Sequence, residues 1–171
     1  IGTTAPSSKA TGGNISYYGD KTIHVFTSTS DFTNTSDGPL TVDYIAVAGG
    51  GSGARETYST GTGGGGGAGG VISNIPGFMP GTTAIPAVGP GSPNKLTVTI
   101  GAGGAGFPGS GAGNDGVNST IAGPGPISIT ANGGGGGGGG PSNPTSAGRS
   151  GGSSGGSSRN VAVGPATQGN P

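Results

Sequence analysis

The sequence contains no cysteine and no tryptophan, and only 7% of its 171 residues are charged. Without cysteine, the chain can form neither a disulfide framework nor a thiolate metal site. Six basic and six acidic residues give a formal net charge of zero. The basic residues are spread along the chain, so they predict no patch for the phosphates of nucleic acid, and we expect no nucleic-acid partner.

Side chains suited to catalysis or metal binding are equally scarce. The single histidine, His24, alternates within a strand-like run, where a structural role is the simpler interpretation. Asp31 and Asp37 could supply oxygens to calcium, but the EF-hand spacing is missing and turn capping explains them better. The tract GAGGAG lacks the following helix and the GK[ST] ending of a phosphate loop. We therefore expect no cofactor, no metal and no enzymatic activity.

Long hydrophobic runs are also missing, since only 27% of the residues are hydrophobic. No run approaches the length of about 20 apolar residues that a membrane helix needs, so we expect no membrane insertion. Glycine (46 residues) and proline (14 residues) dominate instead. Such a composition is typical of low-complexity or disordered chains unless a repeat intervenes.

The N-terminal third has ordinary strand signals. The runs KTIHVFT (21–27) and LTVDYIAVA (40–48) alternate β-branched or aromatic residues with others, and turn formers precede each run. This period of two predicts antiparallel strands, with a further short strand around Phe32. We expect the apolar layer of this part to contain Ile23, Val25, Val42, Tyr44 and Ala46.

Glycine tracts follow strand-like runs at three places. LTVDYIAVA leads into GGGSG, NKLTVTI (94–100) into GAGGAG, and PISITAN (126–132) into eight consecutive glycines at 133–140. Two interpretations stay open for these tracts: flexible linkers, which GGSSGGSS (151–158) resembles most, and packed extended helices of the polyglycine II type. A collagen-like helix is excluded because glycine does not occupy every third position.

Together these patterns predict an all-β fold with essentially no α-helix. A small antiparallel β-strand module at 1–60 is followed by a glycine-rich strand and polyglycine II module at 61–149. A Gly/Ser-rich tail follows at 150–171, and we expect it to continue into a further C-terminal part.

The residues also carry a resemblance to a known family. IGTTAPSSKATGGNISYYGDKTIHVFT, then LTVDYIAVAGGGSG, then the tracts GGGGGAGG and TIGAGGAG, resemble the glycine-rich domain of structural proteins of tailed bacteriophages, especially marine phages. The most specific part of the resemblance is 17–53, whereas the proline-rich segment 75–93 departs from the pattern. The resemblance implies a structural, non-enzymatic virion protein, such as a tail fibre or adhesin module, on the extracellular surface of the particle.

Host recognition by loops is the function that this resemblance implies. The loops at 54–62, 74–93 and 107–120 would face a bacterial receptor, and their candidate residues are Arg55, Glu56, Tyr58, Phe78, Met79, Phe107, Asn114 and Asp115. Phe78 and Met79 could equally cap a thin core. The expected partners are other virion proteins and further copies of the chain, as a homotrimer, because a thin module buries little surface alone. A capsid decoration protein and a subunit of an extracellular bacterial filament are the alternatives.

Overall fold

The structure is a computed structural model, and it describes eight stretches of the chain: residues 7–56, 62–78, 84–90, 94–106, 108–124, 127–140, 147–158 and 162–168. Within these stretches the secondary structure consists of β-strands without any helix, which confirms the predicted all-β class. It follows that the described residues include no helix able to cross a membrane. The strands are β1 (Ala10–Thr11), β2 (Asn14–Tyr18), β3 (Lys21–Val25), β4 (Ser30–Asn34), β5 (Ile45–Val47), β6 (Val71–Ser73), β7 (Lys95–Thr99), β8 (Ser119–Ala122) and β9 (Ser128–Ala131).

The main sheet is antiparallel and has the strand order β1-β4-β7-β8-β9. Its apolar residues meet in register, since Phe32 pairs with Leu96 and Ile121 pairs with Ile129. All four are buried in one cluster. The predicted strands around Phe32 and in the runs at 21–27, 94–100 and 126–132 are therefore confirmed.

A separate hairpin, β2–β3, corrects one expectation about the core. Among the described residues, each of its strands pairs only with the other. Val42, Tyr44 and Ala46 pack against the core as expected, but Ile23 and Val25 are 43% and 47% exposed. Their placement in the apolar layer was wrong, because a ribbon of two strands lies beside the main sheet instead of stacking on it.

The glycine-rich parts form extended segments that belong to none of the named β-strands and contain no α-helix. We number them I to VIII in chain order: I is 48–55, II is 62–70, III is 101–106, IV is 111–118, V is 132–140, VI is 147–152, VII is 153–158 and VIII is 162–168. Segments I, III and V continue outward from β5, β7 and β9, as predicted, and segments II and IV return to β6 and β8. The strands of the sheets thus extend directly into a bundle.

Hydrogen bonds between the segments repeat every third residue. The N–H groups of Ala48, Gly51 and Ala54 donate to the carbonyls of Gly70, Gly67 and Gly64 in segment II. One residue further on, the N–H groups of residues 49, 52 and 55 donate to those of residues 117, 114 and 111 in segment IV. A β-ladder repeats every second residue, whereas a polyproline II or polyglycine II helix has three residues per turn. The segments are therefore packed helices of the polyglycine II type.

Candidate functional site: the glycine bundle and its loop end

Segment V lies at the centre of the bundle. Every N–H group from Gly133 to Gly138 donates a hydrogen bond of 2.8–3.0 Å to another segment. Every carbonyl from Gly133 to Gly138 accepts one of 2.7–2.9 Å. The partners belong to segments I, II, IV, VI and VII. All eight glycines from 133 to 140 are buried, so this tract is a packed helix and the flexible-linker interpretation is wrong for it.

The closeness of the neighbouring backbones explains why only glycine occupies this tract. A Cβ atom added at Gly134 would lie less than 3.0 Å from the carbonyl oxygens of Gly67 and Ala68. One added at Gly136 would collide in the same way with the carbonyl of Gly113. Real Cβ atoms essentially never come so close, and the obstacles are main-chain atoms that cannot rotate away. The missing side chains are thus what allows the main chains to bond in several directions.

Segments II and III carry side chains at exposed positions of the bundle. In segment II the glycines at 64, 67 and 70 are buried, whereas Ala68 is exposed. In segment III, Ala102 and Ala105 are exposed, three residues apart. The spacing matches one helical turn. Ala68, Ala102 and Ala105 therefore mark exposed faces of segments II and III.

Segments I and V end, and segment IV begins, at the far end of the bundle, which we call the loop end. It comprises the described residues Arg55, Glu56, 108–110 and Gly140. Arg55 donates from Nη1 to the carbonyl of Pro108 (2.9 Å), and its backbone exchanges two hydrogen bonds with Gly111. The Ser110 hydroxyl donates to Glu56 Oε1 (2.5 Å). These contacts hold the end of segment I against the start of segment IV and the residues before it.

Glu56 also reaches the central segment. A Cβ atom at Gly140 would collide with the Glu56 carboxylate, so this side chain lies directly against the end of segment V. The Ser158 hydroxyl, which is buried, donates to the carbonyl of Gly139 nearby. The loop end is thus a built surface supported by the bundle. Sequence reasoning identified Arg55 and Glu56 but missed Ser110 and Ser158, for which no motif gave a signal.

The other predicted receptor-facing residues lie elsewhere. Phe78 is 50% exposed. It follows β6, which leads away from the bundle, so it lies at the end of the molecule that the sheets form (the sheet end), opposite Arg55 and Glu56. Asn114 and Asp115 lie on the flank of the bundle in segment IV. Tyr58, Met79 and Phe107 are outside the described residues. Of the five predicted residues that the structure describes, it brings Arg55 and Glu56 together at one end.

Asp115 and Asn118 have a structural role that the sequence interpretation did not anticipate. Asp115 Oδ1 accepts the N–H of Gly136, and Asn118 Oδ1 accepts the N–H of Gly133, both at 2.8 Å. These two side chains, three residues apart, supply acceptors where no backbone carbonyl is in place. Arg149 of segment VI pairs with the same Asp115 carboxylate at 3.0 Å. The stretch GNDGVN, with glycine at 113 and 116, was the available signal for a three-residue repeat.

The titratable groups of the sheet are engaged in structural contacts. His24 Nδ1 lies 2.8 Å from the carbonyl oxygen of Gly12, and its ring packs edge-on against Phe32 at 5.0 Å between centroids. Hydrogen bonds from Lys95 and Thr97 lower the pKa of Asp31 below its usual value. Burial raises the pKa of Tyr44. In the described residues, no group of three or more His, Cys, Asp or Glu side chains could hold a metal ion.

Comparison with known protein families identifies the family of this chain. A family model described as a glycine-rich domain matches residues 27–171. The chain belongs to this glycine-rich domain family. The match covers strands β4 to β9 and the whole bundle, whereas the hairpin β2–β3 precedes the glycine-rich domain. Searches of curated proteins and of solved structures found no match.

Proposed function

We propose that this glycine-rich domain is a structural, non-enzymatic module of a phage virion, namely a tail fibre or adhesin module that takes part in recognition of the host surface. The observation that supports the proposal most is the loop end, where Arg55 and Glu56 tie adjacent turns together over the end of segment V. Turns on a rigid scaffold can change in sequence without loss of the fold. Receptor recognition on a fibre requires this separation of scaffold and contact surface.

The bundle suits a load-bearing part of a particle. At about 3.1 Å per residue, a segment of six to nine residues spans roughly 20–28 Å. Main-chain hydrogen bonds link neighbouring segments at every turn along this length. Because these bonds run laterally in several directions, pulling or bending one segment loads many bonds at once.

The sheet end is the side that we assign to attachment. The hairpin β2–β3 exposes Ile15, Tyr17, Tyr18, Ile23 and Val25, and apolar exposure of this kind is typical of protein interfaces. We propose that this end contacts other virion proteins and further copies of the chain, with a trimer as the expected state. The loop end then points away from the particle, at the virion surface.

Binding to host cells tests the proposal. The purified chain should bind cells that the phage infects and should compete with adsorption of the phage. Arg55→Ala at the loop end should weaken both effects. Lys21→Ala removes the same charge from the exposed hairpin and should leave binding to cells unchanged.

Labelling of particles with an antibody against the chain gives a second readout. We expect label on the tail. Label distributed over the capsid shell would contradict the proposal and favour a decoration protein, and long polymers of the chain without any particle would favour a bacterial filament. Failure of the purified chain to bind any infected strain would overturn the recognition role.

A further inference from the structure

A shallow cleft lies on the flank of the bundle, away from the loop end. Its volume is about 320 Å³, and it runs between segment IV on one side and segments VI and VIII on the other. Segment V forms its floor at Asn132 and Gly133. The side chains that line it are all polar: Asp115, Asn118, Asn132, Ser150 and Thr167.

Two asparagine amides in this cleft are each fixed through one of their two polar atoms. Asn118 uses Oδ1 to accept the N–H of Gly133 at 2.8 Å, which leaves its Nδ2 donor available. Asn132 uses Nδ2 to donate to Thr167 Oγ1 at 3.0 Å, which leaves its Oδ1 acceptor available. Neither Asn118 Nδ2 nor Asn132 Oδ1 has a hydrogen-bond partner among the residues that the structure describes.

The two amides are also neighbours. Asn132 directly precedes Gly133, and Gly133 carries the N–H group that Asn118 binds. The Thr167 hydroxyl is held in turn, because it donates to the carbonyl of Gly151 at 2.9 Å. A donor and an acceptor, each on an amide held by its other polar atom, therefore line the same cleft together with the Ser150 hydroxyl.

The charges around the cleft cancel. Asp115 is the acidic residue in its lining, and its carboxylate is 3.0 Å from the guanidinium of Arg149. A site with paired charges, hydroxyls and amides, and without an apolar side chain among the described residues that line it, favours a neutral ligand rich in hydroxyl groups over an ion or an apolar molecule.

We propose that this cleft binds a neutral saccharide unit. One hydroxyl of the sugar accepts a hydrogen bond from Asn118 Nδ2, and an adjacent hydroxyl donates to Asn132 Oδ1. Adjacent hydroxyls on a sugar ring supply this combination of acceptor and donor, and they replace the waters that a polar cleft otherwise holds. The inference goes beyond the proposed function, because the cleft lies on the flank and can bind sugar whatever contacts the loop end makes.

Titration of the isotopically labelled chain with glucose, galactose and mannose, followed by NMR, tests this inference. With at least one of these sugars we expect saturable shifts at the Asn118 side-chain amide and at the backbone amides of Ser150 and Gly151. Arg55 at the loop end should not shift. Shifts absent from the cleft with all three sugars, or spread evenly over the surface, would overturn the inference while leaving the cell-binding proposal untouched.

The variant Asn118→Asp sharpens the test. It keeps Oδ1 for the N–H of Gly133 but removes the Nδ2 donor, so affinity for the sugar should fall about tenfold, the equivalent of one hydrogen bond. Asn14→Asp makes the same change on the exposed hairpin and should bind as the wild type does. Retained protection of the Gly133 amide from exchange shows that the variant is folded. Sugar affinity of Asn118→Asp equal to that of the wild type would contradict the inference.

Discussion

Two alanine substitutions in segment II should have opposite effects on stability. At Gly67 an added Cβ would come within 3.0 Å of the carbonyl oxygens of Ser153 and Ser154 in segment VII. At Gly65, two residues earlier in the same run of glycines, an added Cβ meets nothing within 4 Å, and the backbone is outside the left-handed region. The pair therefore separates the loss of close approach from the general effect of replacing glycine.

The magnitude follows from the bonds that link segments II and VII. Ser153 donates to Ala68 (2.9 Å) and Gly156 donates to Gly65 (2.8 Å), and a Cβ at Gly67 forces these segments apart. Losing two hydrogen bonds costs about 2 kcal/mol and overpacking costs about 1–3 kcal/mol more, so Gly67→Ala should destabilise by roughly 3–5 kcal/mol. Gly65→Ala should stabilise by about 0.4–1 kcal/mol, since alanine restricts the unfolded chain.

Thermal unfolding of the two variants measures this difference. For a domain of this size about 2–4 °C corresponds to 1 kcal/mol, so Gly67→Ala should lower Tm by at least about 6 °C, and Gly65→Ala should leave it unchanged or raise it slightly. Equal melting temperatures for the two variants would refute the claim that close main-chain approach holds the bundle together.

Three further predictions concern the flank of the bundle, strand β4 and the core. Asp115→Ala should lower the free energy of unfolding by about 1–3 kcal/mol, because it leaves the buried Gly136 N–H without an acceptor. Asp115→Asn keeps Oδ1 and should lower it by less. Denaturant unfolding measures both variants. Because its lysine partner lowers the folded-state pKa of Asp31, the contact stabilises the fold above the unfolded pKa of about 4 and is lost as pH falls through the folded value. The stability difference between wild type and Asp31→Asn should therefore shrink on acidification, and a difference that grows would contradict this. Leu96→Ala in the core should lower the free energy of unfolding by about 2–5 kcal/mol, whereas Ile23→Thr on the exposed hairpin should change it by less than about 1 kcal/mol. Similar losses of stability in the two variants would contradict the burial of Leu96 and the exposure of Ile23.

The sequence predicts the strands well because their side chains alternate. In β7, Leu96 is buried and its neighbours Lys95 and Thr97 are exposed, which is the period of two that the run NKLTVTI shows. The outgoing segments were also predictable, since each glycine tract follows such a run. The hairpin misled us, because alternation in KTIHVFT reports a strand but does not say whether a second layer covers it.

The arrangement of the bundle could not be read from the sequence. Eight consecutive glycines have no side-chain period, so nothing in 133–140 shows which neighbour each N–H group meets. For the same reason the sequence left two interpretations open for the tail. GGSSGGSS has the composition of a linker, yet Ser153 and Gly156 accept hydrogen bonds from Gly135 and Gly138. The three-residue pattern of Ala102, Ala105 and GNDGVN was the readable signal, because it repeats once per turn of a polyglycine II helix.

The candidate site was only partly predictable. Arg55 and Glu56 stood out as the charged members of a glycine-rich region, and the structure places both at the loop end. Phe78 stood out by size, but the direction of each segment decides which end of the bundle a turn occupies. That direction depends on which tract returns to the sheet, and glycine composition does not encode it.

Amide hydrogen exchange at Gly133 to Gly138 tests the central claim most directly. If main-chain bonds in several directions hold segment V, these amides should exchange as slowly as those of Leu96 and Ile129 in the sheet, through global unfolding alone. Exchange at the rate of an unstructured peptide, while the sheet amides stay protected, would contradict the account.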